Sequence, residues 1–259
     1  MRLLSSILLT LLLAAPASAD TITVAAAVSL RDALTDIASR FKSETKHDVR
    51  FVFGSSGQLM AQVKNGAPVD LFISAADQQV DELLKESLVL EETRRVVAGN
   101  TLVLIVPAGA KSPPTGFSDL SDPRHKRIAI GDPKTVPAGD YAMQLLRALE
   151  IADAVAPRTI HGTNVRQVLG YVERGEVGAG IVYHTDALAS GDKVQIVERA
   201  DDRLHGPINY TAIVVKATKR QPAAKQFLDD LGTEPSRKAL EDRGFSTPDL
   251  KRRPRDREP

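Results

Sequence analysis

The sequence predicts an α/β protein, and three observations support this fold class. Patterns typical of strands and of amphipathic helices alternate along the 259 residues. The segment Asp70–Ser74 is nearly continuously apolar, as expected of a strand buried on both faces of a sheet. Once a leader-like start is set aside, 240 residues remain, which is enough for two small domains.

The first elements illustrate how the others are predicted. Thr21–Ala27 has the composition of a strand, and apolar residues from Leu30 to Phe41 then recur at helical spacing. Ser29 and Asp32 match an S-x-x-D capping box at the start of that helix. Further strands are predicted at Val49–Phe53, Asp70–Ser74, Thr101–Val106, Arg127–Ile130, Gly180–Tyr183 and Ile208–Val215. Further helices are predicted through Leu59–Val63, Val80–Ser87, Pro137–Leu149, Val165–Val172, Ala223–Leu231 and Glu234–Arg243.

The two ends of the chain are not expected to belong to the fold. Residues 1–19 combine Arg2, an apolar run from Leu3 to Leu13 and the small residues Ala17-Ser18-Ala19, which is the pattern of a cleaved signal peptide. The run falls short of the roughly 20 residues that span a bilayer, so an uncleaved anchor is the weaker alternative. Residues 251–259 are basic and Pro-containing without an apolar face, so we expect a disordered tail.

Composition narrows the possible functions. Residues 20–250 hold three more acidic than basic residues, which argues against nucleic-acid binding. The absence of cysteine excludes disulfides, thiolate chemistry and Cys-ligated metals. With no tryptophan and only 4% aromatic residues, broad stacking surfaces are not expected.

Small or hydroxyl-bearing residues stand where a turn gives way to a helix. They are Ser29, Ser56, Ala138 and Val165, while Tyr183 ends a strand. Helix starts present unpaired N–H groups and a partial positive charge, so several of them can surround one oxyanion without an Arg or Lys. Taken singly, each residue also has an ordinary structural interpretation, such as a helix cap or a core side chain.

At these positions the chain resembles the periplasmic molybdate-binding proteins of ABC importers, from Ile22 to Phe245. The resemblance rests on short motifs around the helix starts and buried strands: Asp70-Leu-Phe-Ile-Ser-Ala, Gly131-Asp-Pro, Val136-Pro-Ala-Gly, Val165-Arg and Gly180-Ile-Val-Tyr. It implies the type II periplasmic binding protein fold, with two Rossmann-like lobes, two crossing strands and the ligand in the cleft. The implied lobes are residues 20–103 with 214–250, and residues 104–213.

The resemblance also implies the ligand set. Ser29, Ser56, Ala138 and Val165 would offer backbone N–H groups, and Ser29, Ser56 and Tyr183 would add hydroxyls. These residues would hold molybdenum only through the oxygens of molybdate, with no direct metal ligand, no cofactor and no catalysis. The expected protein is a periplasmic monomer that binds molybdate, and tungstate as well, and delivers it to the membrane permease of an ABC importer. The choice of Ser56 over its neighbour Ser55 stays open.

Three alternatives remain. A sulfate-type receptor has the same donor chemistry, because only the size of the cavity separates sulfate from molybdate. An exported serine hydrolase lacks G-x-S-x-G, and a metal-binding protein lacks paired histidines at ligand spacing. Arg166 next to Val165 is expected to be solvated or salt-bridged rather than to clamp the anion.

Overall fold

A computed structural model describes residues 19–248, and the strands in this range form two five-stranded sheets. In spatial order, the first sheet contains β2 (Asp48–Gly54), β1 (Thr21–Ala27), β3 (Leu71–Ser74), β10 (Ile208–Val214) and β4 (Arg95–Asn100). The second contains β7 (Thr159–Gly162), β6 (Ile128–Gly131), β8 (Ala179–Tyr183), β5 (Leu102–Pro107) and β9 (Val194–Arg199). The predicted α/β class with two sheets is therefore confirmed.

Each sheet has a parallel half that fixes one functional edge. In the first sheet, β1 pairs in parallel with β2 and β3, whereas β10 runs antiparallel between β3 and β4. In the second, β6 is parallel to β7 and β8, and β5 is antiparallel to β8 and β9. Parallel neighbours end at the same edge of a sheet, so the residues that follow β1–β3 lie together, as do those that follow β6–β8.

Helices cover both sheets and define two lobes. The first lobe comprises the first sheet with α1 (Arg31–Thr45), α2 (Ser56–Lys64), α3 (Asp77–Lys85), α8 (Gln221–Leu231) and α9 (Glu234–Glu241). The second lobe comprises the second sheet with α4 (Pro137–Ala148), α5 (Ala152–Val155), α6 (Val165–Glu173) and α7 (His184–Ala189). The stripe predicted for α1 is the face that it buries: Ala33, Leu34, Ile37, Ala38 and Phe41.

The chain passes between the lobes twice, as expected. Only Thr101 separates β4 in the first sheet from β5 in the second, and residues 200–207 join β9 to β10. The strands expected to cross were those at Thr101–Val106 and Ile208–Val215. Each of them lies in a single sheet, and the passages come just before β5 and β10. The lobe bounds 20–103 with 214–250 and 104–213 stay a prediction. All of β10 lies in the first sheet. This favours residues 200–207, rather than residue 213, as the second boundary between the lobes.

Two predictions concern residues outside the described range. These are the signal peptide, of which only residue 19 is described, and the tail at residues 251–259. Among the helices of residues 19–248, none combines the length and the apolar character that crossing a membrane requires.

Candidate functional site

A small cavity lies where the carboxyl edges of the two sheets face each other. Both lobes contribute to its lining, which consists of Ala27, Val28, Ser29, Gly54, Ser55, Ser56, Ala75, Val136, Pro137, Ala138, Val165 and Tyr183. The structure therefore brings all five predicted site residues together around one space. Each of them is at most 4% exposed, so a bound molecule would be largely removed from water.

Ser56 lies on the first-lobe side and begins α2, as the sequence predicts. Its Oγ accepts a hydrogen bond from the Ala75 backbone N–H at 3.0 Å. A hydroxyl that accepts in this way still has its own proton to donate. Its neighbour Ser55 precedes the helix, and within residues 19–248 the buried Ser55 Oγ has no hydrogen-bond partner. Both serines line the cavity, so the geometry leaves the choice between their hydroxyls open.

Ser29 departs from the prediction in one respect. It lies in a 3₁₀ turn, Val28–Leu30, that precedes α1, and its side chain makes no capping bond there. The predicted capping box of Ser29 and Asp32 is therefore wrong. Ser29 Oγ instead lies 2.8 Å from the Tyr210 hydroxyl, in a buried hydrogen bond. The short turn ahead of α1 directs Ser29 towards β10 rather than back along its own helix.

Two helix starts face the cavity from the second lobe. Pro137 occupies the first turn of α4, where its missing N–H costs nothing, and Ala138 follows it. Val165 is the first residue of α6. First-turn N–H groups have no partner within their own helix, so both positions present donors together with the positive end of the helix dipole. Because Ala138 and Val165 are small or aliphatic, no side chain competes with these donors.

Asn164 holds the start of α6 in place. Its Oδ1 accepts a hydrogen bond from the Gln167 N–H at 3.0 Å, which identifies Asn164, rather than Thr163, as the cap. Asn164→Ala is expected to lower the free energy of unfolding by about 1 kcal/mol, because one first-turn donor loses its partner. Chemical denaturation of the unliganded protein measures this loss. Thr163→Ala is the comparison: it removes only an exposed hydrogen bond from Thr163 Oγ1 to Gln167 Oε1 at 3.0 Å and should cost less. An equal loss there would contradict the assignment of the cap.

Tyr183 supplies a hydroxyl at the end of β8. It is 1% exposed, and its Oη has no hydrogen-bond partner among the described residues. A buried polar atom without a protein partner is uncommon in native proteins, so this hydroxyl is a candidate to bind a ligand. Burial raises the pKa of the Tyr183 hydroxyl well above its usual value. The group therefore keeps its proton near neutral pH and can act only as a donor towards an anion.

The cavity is electrically neutral on the protein side. None of the described residues that line it carries a charge. The nearby Arg166 points elsewhere, with one guanidinium nitrogen 2.9 Å from Asp32 on α1 and its Nε 2.5 Å from the buried Asp186 on α7. Arg166 is thus salt-bridged, as predicted. Its pair with Asp32 connects the two lobes, its pair with Asp186 lies within the second lobe, and none of these charged residues lines the cavity. An anion here would be held by hydroxyl and backbone donors alone.

The geometry does not support the serine hydrolase or the metal-binding alternative. In the described part of the chain, Ser29 Oγ contacts Tyr210 and Ser56 Oγ contacts a backbone N–H, so neither hydroxyl has the histidine that a hydrolase nucleophile needs. Within residues 19–248, no group of three or more His, Asp or Glu side chains is arranged so that it could hold a metal ion.

Comparison with known proteins assigns the family. A family model described as bacterial extracellular solute-binding protein matches residues 22–246. The molybdate-binding protein ModA of Haemophilus influenzae is 37% identical, with 89% of this chain and 91% of the relative covered. A putative ABC transporter substrate-binding lipoprotein of Bacillus subtilis is 40% identical, with 87% and 86% covered.

A solved structure agrees with these relatives. The periplasmic molybdate-binding protein of Azotobacter vinelandii superposes with a TM-score of 0.78 at 25% identity, and 88% of this chain and all of that chain are covered. Sequence and structure thus give the same answer over nearly the whole described range. The chain belongs to the bacterial extracellular solute-binding protein family.

Proposed function

We propose that this chain is an exported receptor that captures molybdate between its two lobes and delivers it to the membrane permease of an ABC importer. The observation that carries the proposal is the buried, uncharged cavity on which Ser29, Ser56, Ala138, Val165 and Tyr183 converge. The names of the relatives in Haemophilus and Azotobacter support molybdate as the ligand. Tungstate, a tetrahedral dianion of the same kind, is expected to bind as well.

The donor set suits a fully ionised tetrahedral oxyanion. Each charge-assisted hydrogen bond contributes roughly 1.5–3 kcal/mol, so about five of them offer roughly 8–15 kcal/mol. Association costs about 4 kcal/mol or more in lost translational and rotational freedom. Micromolar or tighter binding, near −8 kcal/mol, is therefore within reach of neutral donors alone. Protonated phosphate is disfavoured, because its O–H would need an acceptor, and the backbone N–H groups of the site offer none.

Sulfate is the second candidate, because it offers the same oxygens and charge to the same donors. A sulfate-binding protein of Mycobacterium tuberculosis superposes with a TM-score of 0.78, but at 17% identity that likeness concerns the fold alone. The relatives at 37% identity favour molybdate over sulfate.

Location, oligomeric state and lobe bounds complete the proposal. Solute-binding proteins of importers work outside the cytoplasm, which agrees with a signal peptide at residues 1–19 and a periplasmic location. The receptor would work as a monomer, release its ligand unchanged and require no cofactor. The lobes were predicted as residues 20–103 with 214–250 and residues 104–213. We propose to move the second boundary to residues 200–207, so that all of β10 belongs to the first lobe.

Ligand specificity tests the proposal directly. Thermal unfolding of the purified mature protein is measured with molybdate, tungstate, sulfate or phosphate at equal concentrations. Molybdate at about a hundred times its Kd should stabilise the folded protein by about 2.7 kcal/mol, whereas sulfate and phosphate should do little. Sodium chloride at matched ionic strength controls for nonspecific salt effects. Equal stabilisation by sulfate would replace the molybdate assignment with a sulfate receptor.

A further inference from the structure

Behind Ser29 lies a tyrosine that the site prediction did not include. Tyr210, on β10, is fully buried and does not line the cavity. Its hydroxyl lies 2.8 Å from Ser29 Oγ and 3.2 Å from Asn100 Nδ2. Tyr210 Oη therefore connects a residue of the cavity to Asn100, which is the last residue of β4.

The orientation of Asn100 sets the direction of these hydrogen bonds. Asn100 Oδ1 accepts from the Thr101 backbone N–H at 2.9 Å, so the oxygen of the amide is assigned to that side. Asn100 Nδ2 then faces the two hydroxyls, Tyr210 Oη and Thr185 Oγ1, the latter at 2.9 Å. An amide nitrogen can only donate, so Tyr210 Oη must accept from Asn100.

The position of the Tyr210 proton follows from this. Tyr210 has one hydroxyl proton, and Ser29 Oγ is the acceptor within hydrogen-bond distance. Ser29 Oγ therefore accepts from Tyr210, and its own proton remains free to be donated to a ligand in the predicted site, whose lining includes Ser29. If the hydrogen bond ran in the opposite direction, Ser29 would donate its proton to Tyr210. The Ser29 oxygen would then present only lone pairs to an incoming anion.

We propose that Asn100 and Tyr210 are positioning residues that turn the Ser29 hydroxyl towards a bound oxyanion, in a relay from Asn100 through Tyr210 to Ser29. The relay rests on the proposed function, because its last step needs an anion in the cavity. Fixing the donor before the ligand arrives lowers the cost of ordering it during binding. Successive hydrogen bonds also polarise one another, which strengthens the last donor.

The relay also runs along the junction of the two lobes. Asn100 directly precedes Thr101, where the chain first passes to the second sheet, and its other N–H reaches Thr185 on α7 of the second lobe. Tyr210 stands shortly after the second passage, at residues 200–207. The orientation of Ser29 is thus tied to contacts that depend on how the lobes meet.

A double-mutant cycle separates this role from a purely structural one. Calorimetric titration with sodium molybdate is carried out on wild type, Tyr210→Phe, Ser29→Ala and the double variant. Tyr210→Phe keeps the ring that packs edge-on against Tyr183 and Phe245, and should weaken binding about three- to tenfold, as expected for one hydrogen bond. In the Ser29→Ala background the same change should alter affinity less than about twofold, because the relay has lost its end point.

The matched control is Tyr171→Phe, which removes a hydroxyl from a tyrosine on α6 outside the cavity lining and should leave affinity unchanged. Melting of each unliganded variant checks that it folds. If Tyr210→Phe does not, Asn100→Ala completes the same cycle with the same expectation.

Each outcome decides one question. A loss in Tyr210→Phe that disappears in the Ser29→Ala background supports the relay. An equal loss in both backgrounds, or no loss in either, overturns the relay while leaving the receptor intact. A wild-type protein that binds no molybdate overturns the proposed function instead, and the relay loses its ligand with it.

Discussion

Gly57→Ala is expected to weaken molybdate binding by about a hundredfold or more without destabilising the unliganded protein. Gly57 is the second residue of α2 in the first lobe, and its N–H donates to the Thr135 carbonyl of the second lobe at 3.0 Å. A Cβ at this position would lie 2.7 Å from Thr135 O and 2.8 Å from Thr135 Cα. Both are backbone atoms that cannot rotate away, so the lobes would have to separate to make room.

Separation of the lobes divides the site. Ser29 and Ser56 belong to the first lobe, whereas Ala138, Val165 and Tyr183 belong to the second. Losing one or two charge-assisted bonds, at roughly 1.5–3 kcal/mol each, is enough for the expected hundredfold effect. The fold itself should not suffer, because residue 57 has helical backbone angles and alanine favours a helix over glycine by about 1 kcal/mol.

Calorimetry with molybdate and small-angle scattering with and without it would measure the two consequences. Wild type should become more compact on binding, since the anion gains its full set of donors only when the lobes meet. Gly57→Ala should bind weakly and compact less. Gly178→Ala is the control, because a Cβ there meets only an ordinary contact at 3.8 Å. Full affinity together with full compaction in Gly57→Ala would show that the lobes do not close on this contact.

Much of the fold could be predicted from the sequence, and the strands that were not predicted share one feature. β4, β7 and β9 were not predicted, and all three are edge strands of their sheets. Exposed residues interrupt each of them, and β9 buries none of its six. A strand with a neighbour on one side only needs less apolar surface, so it can leave a weaker pattern in the sequence. The fourth edge strand, β2, was predicted because it keeps the apolar residues of Val49–Phe53. The central strands β3 and β8 are buried at every position and were readily predicted.

The cavity residues were predictable for a different reason than the relay behind them. Ser56, Ala138 and Val165 each begin or nearly begin a helix, which is a local signal that short motifs carry. The contact between Ser29 and Tyr210 joins residues 181 positions apart, and nothing near either residue indicates it. The capping box predicted at Ser29 is wrong for the same reason. The local sequence pattern indicated a cap, but the Ser29 side chain bonds to the distant Tyr210 instead. The role of the five cavity residues as molybdate ligands stays a prediction, which binding measurements can test.

Tyr183→Phe is expected to weaken molybdate binding by roughly 1.5–3 kcal/mol, or about ten- to a hundredfold, because it removes one charge-assisted donor. The loss of stability without ligand should be small, since the Tyr183 hydroxyl has no partner among the described residues. Removing it also relieves the cost of burying an unpaired polar group. Ser29→Ala should behave differently, because it breaks the buried bond to Tyr210 and leaves that hydroxyl without its acceptor.

The comparison of these two variants is therefore sharper than either alone. Both should lose affinity in a molybdate titration, but only Ser29→Ala should lose about 1–3 kcal/mol of unfolding free energy in denaturation without ligand. The difference in stability between the two variants would distinguish a hydroxyl that only binds the ligand from one that also stabilises the fold. Unchanged affinity in Tyr183→Phe would mean that its hydroxyl does not contact the anion. If binding then also proceeded without compaction, the ligand would sit on one lobe, and capture between two lobes would be wrong.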